Sequence, residues 1–224
     1  MSRSAYQVGE PRAVLRGSSW RSGTSYAEAR DWVESYEAGA EQRPLLEQEL
    51  LESLTAARIE AWEAQLFRGR ILSTAPCSVH EFGPPPPDQA QRGRYSETGV
   101  PALHLCSSVN GVIRELGPPS PGLTLWVQTF RLRPELRFAD ARDLAVDSLA
   151  AAIFWLIEPG RDRMSPFPLL GQRIGRLIAT EFDGLLVPGV RGEPNELYWN
   201  VVVFRPCDRW LSLIDESVRP EAAS

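Results

Sequence analysis

Three short segments of this sequence set arginine beside glycine: Phe67-Arg68-Gly69-Arg70, Gly93-Arg94-Tyr95 and Pro188-Gly189-Val190-Arg191-Gly192. A planar guanidinium donates two parallel hydrogen bonds to phosphoryl oxygens, and a glycine turn lets the backbone approach such a ligand closely. One arginine in or beside a strand is ordinarily an ion-pair partner or a snorkelling surface residue. Three beside glycine in separate turns shift the balance toward an anion site. A carboxylate, Glu115, lies in a short helical stretch fed by the strand Ala102–Ser107, and Asn200 begins the last strong apolar run. On residue types alone, the chain reads as an α/β domain with an anion site.

The elements that must position these residues follow from pattern. Met1–Gly23 lacks periodicity and reads as a loosely ordered arm. Ser25 followed by Glu28 makes a capping box, so a helix is expected over Ser25–Ala38. Pro44 suits the first turn of a second helix, Pro44–Ala64, whose apolar stripe is Leu46, Leu50, Leu54, Ala57 and Ala61. This pair reads as a packing or partner-contact piece. From Leu66 the runs LFRGRIL, ALHLCS, LTLWVQTFRL, GLLVPGV and NVVVF, broken by Gly and Pro, read as strands. Ala141–Ile157 and Leu169–Phe182 read as helices, and Gly83–Pro87 as a stiff connecting loop. The division expected is 1–65, an arm with a helical hairpin, and 66–224, a mixed α/β (α+β) domain.

Composition narrows the functional classes. The 224 residues carry a net charge of −5 and no basic block, so no nucleic-acid partner is expected. The longest apolar stretch, Leu144–Ile157, is interrupted by Asp147 and too short to span a bilayer, so no membrane association is expected. No signal peptide is visible, and three scattered cysteines suit a reducing compartment, giving a cytoplasmic expectation. Cys77 with His80, and His104 with Cys106, complete no four-ligand set, so no metal is expected. All 24 basic side chains are arginine. A GC-rich genome explains this most simply; selection against lysine modification, as in a protein delivered into a foreign cell, is the sharper alternative.

The segment GRYSETGVPALHLCSSVNGVIREL resembles the signature of the RES-domain family, toxins of RES–Xre toxin–antitoxin systems. In that family a Gly-Arg-aromatic turn leads through Gly-x-Pro into a strand and then a helix bearing Glu. The upstream FRGR and the downstream FDGLLVPGVRG and WNVVVF are similar to other family segments in the same order, over about residues 66 to 206. The resemblance implies an ADP-ribosyltransferase-like fold and NAD as the substrate. It implies that Arg68 and Arg94 hold the pyrophosphate and ribose, that Tyr95 packs beside them, and that Glu115 is the family's catalytic Glu. His104 stands where the family most often has Tyr, and Arg191 and Asn200 match the later turn and strand start. Gly189 occupies the place of the family's Ser, leaving the backbone N–H and a water to serve there.

The implied chemistry is cleavage of NAD between nicotinamide and ribose, as a glycohydrolase or phosphorylase. Positive charge builds on the ribose as the bond breaks, and a carboxylate at that sugar stabilises it. Two alternatives stay open: transfer of ADP-ribose to a protein acceptor, and a catalytically degenerate RES fold, motivated by Gly189, used for binding or assembly. An Xre-type antitoxin or immunity protein is the partner implied, and a homo-oligomer stays open. Outside the motifs, Glu97, His80 and Glu81 read as solvent-facing, and Trp126, Trp155 and Trp199 as core.

Overall fold

The computed structural model describes residues 31–36, 43–56, 65–132, 136–142, 153–154, 157, 169–189, 198–204, 211–213 and 219–221. Helices α1 (31–36) and α2 (Arg43–Ala56) precede strand β1 (Gln65–Leu72) and a single 3-10 turn, Val79–Phe82. There follow β2 (Ala102–Cys106), α3 (Val109–Leu116), β3 (Thr124–Leu132), β4 (Phe138–Asp140), α4 (Leu170–Glu181), β5 (Gly184–Pro188), β6 (Trp199–Phe204), β7 (Leu211–Leu213) and β8 (Arg219–Glu221). The strands form one mixed sheet in the order β4-β5-β6-β2-β1-β3-β7, with β8 also on β3. Among the described strands only β4 and β5 pair parallel.

Strand alternation explains both faces. Leu103, Leu105, Val201, Val203 and Leu186 point into a core closed by Phe82, Leu136 and Phe138. Ala102, Val202, Phe204, Leu185 and Val187 point the other way, into a core shared with Ile174 and Ile178 of α4 and with Trp32, Val33, Leu50 and Leu54. Strands buried on both faces read as unbroken apolar runs, which is how GLLVP and WNVVVF appear. Each fully buried aliphatic side chain contributes about 1.5–3 kcal/mol relative to leaving it in water. Trp32, Val33 and Tyr36 of α1 and Leu50 and Leu54 of α2 therefore belong to the same core as the sheet, with the Trp32 and Tyr36 rings stacked 5.0 Å apart.

Several expectations shift. The second helix is described to Ala56, and residues 57–64, like Ser25, Glu28 and the N-terminal arm, lie outside the described residues. Of the helix expected over 141–157, residues 153–154 and 157 are helical, but Ala141 and Arg142 are not. Ala141 N–H instead donates to Leu186 O, and Arg142 folds back onto Asp140 through two charged hydrogen bonds of 2.8 and 2.7 Å. This buried pair also sets the Arg142 guanidinium 4.5 Å from the Trp199 ring centre, bracing the start of β6. Glu81 is exposed as expected, but its carboxylate accepts from the backbone N–H groups of Cys77 and Ser78 and completes a capping box. Glu97 is not simply exposed: it forms an ion pair with Arg176 of α4. Trp199 is core, Trp126 is half-buried against it, and Trp155 lies outside the described residues.

Candidate functional site

Three adjacent strands and one helix bring the chemistry-bearing residues together. Arg68 comes from β1, His104 from β2, Asn200 from β6 and Glu115 from the last turn of α3. Only two residues separate β2 from α3, and Ser108 caps the helix by accepting from Gly111 N–H at 3.0 Å. That cap fixes where the helix starts, and so where Glu115 ends up. These residues, with Gly93, Arg94 and Tyr95, line a cleft of about 390 Å³. Arg68, Arg94, Tyr95, His104, Glu115 and Asn200 thus share one cavity. Gly189, although buried beside it, is not part of that lining, and Arg191 lies outside the described residues.

The Gly93-Arg94-Tyr95 turn is held from below. Tyr95 is 2% exposed and its ring packs against Phe154, 6.2 Å between centres. Helix α4 runs directly beneath the turn because Gly171 and Gly175 carry no side chain. A Cβ at Gly171 would sit 2.4 Å from Arg94 O, and one at Gly175 only 2.1 Å from Tyr95 O. The Glu97–Arg176 ion pair ties the same two segments at the surface. Tyr95 is therefore an anchor for the turn that presents Arg94.

Glu115 is gripped on one oxygen. Asn200 Nδ2 donates to Oε1 at 2.7 Å, and the Tyr198 hydroxyl donates to the same atom at 2.9 Å. Asn200 Oδ1 in turn accepts from the Cys106 thiol at 3.0 Å, which fixes the orientation of the amide. Burial first, and then the Glu115 charge, push the Cys106 thiol well above its ordinary pKa, so it stays protonated and non-nucleophilic.

Tyr198 was not anticipated from the sequence. Its ring occupies a slot between two glycines: a Cβ at Gly189 would meet it at 2.2 Å, and one at Gly111 at 2.6 Å. Space that a side chain at 189 would fill is taken by a phenol whose hydroxyl reaches Glu115. The signal was present in strand alternation, since Tyr198 lies two positions before Asn200 and so shares its face.

The cationic side is equally defined. Arg68 Nη1 is buried without a hydrogen-bond partner. Burial and, second, the neighbouring Arg70 lower the Arg68 pKa to about 10, which still leaves it charged at neutral pH. A buried guanidinium nitrogen lacking an acceptor is costly unless a ligand supplies one. His104 shares the cleft with both arginines. The residue is exposed toward the cleft although its strand is paired on both sides. Burial, then Arg68, then Arg94 lower its pKa from 6.5 to about 4. At neutral pH it presents an uncharged ring with one donor and one acceptor.

A pH effect follows. Between pH 6.5 and about 4 the unfolded chain takes up a proton at His104 that the folded chain refuses, so stability falls as pH falls through that window. His104→Gln should remove that part of the loss. Urea midpoints at neutral and acidic pH for both proteins measure it; identical losses would contradict the assignment.

A sequence profile described as RES domain matches residues 60–217. No curated protein matches the chain in sequence. Among solved structures the chain is similar to one in the "Crystal structure of the M. tuberculosis MbcT-MbcA toxin-antitoxin complex", at 14% identity and a TM-score of 0.47, over 77% of this chain and 92% of that chain.

Proposed function

The chain belongs to the RES domain family, and from that premise we propose that it breaks the bond between nicotinamide and ribose in NAD. The observation that carries this reading is the convergence of Arg68, Arg94 and Glu115 on one cleft. Arg68 and Arg94 bind the diphosphate, which turns binding energy into orientation of the scissile bond. As the C1′–N bond breaks, its electron pair passes to the pyridinium nitrogen and nicotinamide leaves neutral. The positive charge left on the ribose is stabilised by Glu115, held in place by Tyr198 and Asn200. Water or inorganic phosphate then bonds to C1′ and releases a proton, giving ADP-ribose or its 1″-phosphate. The neutral ring of His104 supplies a flat surface for nicotinamide without adding to the cationic charge of the cleft.

Mass spectrometry of NAD incubated with the purified protein, with and without phosphate, tests the reading. Free nicotinamide with either sugar product is expected. A labelled protein in place of free product would instead mark ADP-ribosyl transfer, and intact NAD would refute both. An activity of this kind, in a cytoplasm that depends on NAD, calls for an antagonist, and we assign that role to an Xre-type antitoxin.

Tyr198 enters as a positioning residue. Tyr198→Phe removes one hydrogen bond to a charged group, a contribution of about 1.5–3 kcal/mol. The expected result is a fall in kcat of about tenfold or more at nearly constant KM, since the phenol acts through Glu115. A change confined to KM would contradict this.

A further inference from the structure

A second hollow of about 480 Å³ adjoins the cleft, and the two share Arg68, Gly69, Gly93, His104 and Leu116 in their walls. Its lining differs in charge. Glu115 faces only the first hollow, whereas the second is lined by Arg68, Arg70, Arg92, Gln89, Gln91 and Ser96, with no acidic side chain among the described residues. Arg70 is held over it by a hydrogen bond of 3.3 Å from Nη2 to Gly83 O, at the start of the proline loop. Its Nε is buried with no acceptor, as is Nη1 of Arg68 two residues earlier on the same strand. Like charges at this spacing repel, and burial sharpens the repulsion. An anion seated between them relieves both the repulsion and the missing hydrogen bonds.

Resting on the reading of the first cleft as an NAD site, we propose that the second hollow receives the adenylyl half of the dinucleotide, with Arg70 on its phosphate. The nicotinamide riboside end then lies toward Glu115, and the shared residues Arg68 and His104 lie where the two halves join. The Gln89 and Gln91 amides supply donors and acceptors suited to a purine edge. Each hollow by itself falls in the range of about 300–1,000 Å³ usual for small-molecule sites. The consequence is selectivity: the protein distinguishes a dinucleotide from nicotinamide mononucleotide, which has a single phosphate and no adenylyl group.

The test titrates the Glu115→Gln protein, and the same protein with Arg70→Ala, with NAD and with nicotinamide mononucleotide. Arg70→Ala is expected to weaken NAD binding about tenfold or more, and to change mononucleotide binding less than twofold. Arg70→Gln, which keeps neutral donors at the site, guards against misfolding and should fall between the parent and the alanine variant. Equal effects on the two ligands, or none on either, would overturn the assignment of the second hollow while leaving the first cleft intact. Failure of the parent protein to bind either ligand would overturn the NAD reading itself.

Discussion

Replacing Glu115 with glutamine is expected to slow nicotinamide release about 100- to 1,000-fold, the usual effect of deleting one preorganised electrostatic contact to a transition state. The substitution is nearly isosteric. Tyr198 and Asn200 both donate to Oε1, and the glutamine carbonyl oxygen accepts the same two bonds. The side chain therefore keeps its place, and what is lost is the negative charge beside the ribose. The melting temperature should stay within a few degrees, and NAD should still bind through the arginines. Retention of most of the rate would remove Glu115 from the chemistry. Loss of rate together with loss of folding would say that its role is structural.

The second large effect is expected at a residue that does not itself line the cleft, Gly175→Val. A side chain there must enter space held by the Tyr95 carbonyl, which lies 2.1 Å from the position a Cβ would take, with the Tyr95 carbonyl carbon at 2.9 Å. These are backbone atoms and cannot swing aside as a flexible side chain does. Overpacking of this kind costs about 1–3 kcal/mol, which for a chain of this size lowers the melting temperature by roughly 2–12 °C. Helix α4 must also move away from the turn that presents Arg94. A displacement of about 1 Å at a substrate-holding group is enough to cost about 100-fold in rate. Thermal melts and NAD turnover on the same preparation measure both. An unchanged melting temperature with full turnover would show that the helix does not set the turn.

What could be read in the sequence, and what could not, divides along physical lines. Strands β1, β2, β3, β5 and β6 were legible because long apolar runs bounded by Gly and Pro leave few alternatives. Strands β4, β7 and β8 were not, since three residues carry no period, and pairing with a neighbour decides them. Arg142 shows the same limit: helical texture lost to a buried ion pair with Asp140, two residues away. Arg68, Arg94, His104 and Glu115 were picked out by resemblance and turn chemistry, and the fold sets them around one cleft. Their supports were hidden because each depends on contacts between segments far apart in the chain. Gly171 and Gly175 matter only for what lies above α4, and Gly189 only for the Tyr198 ring. Position 189, read from sequence as the loss of a hydroxyl, is in the structure a space filled by Tyr198, whose own hydroxyl reaches Glu115. Arg191 lies outside the described residues.

The arrangement of arginines and carboxylate is tested most directly by crystals of the Glu115→Gln protein soaked with NAD. The account predicts the diphosphate in hydrogen-bond contact with Arg68 and Arg94 and the nicotinamide-bearing ribose beside the side chain at 115. Dinucleotide density at any other surface, or in this cleft with the adenine end at position 115, would contradict it.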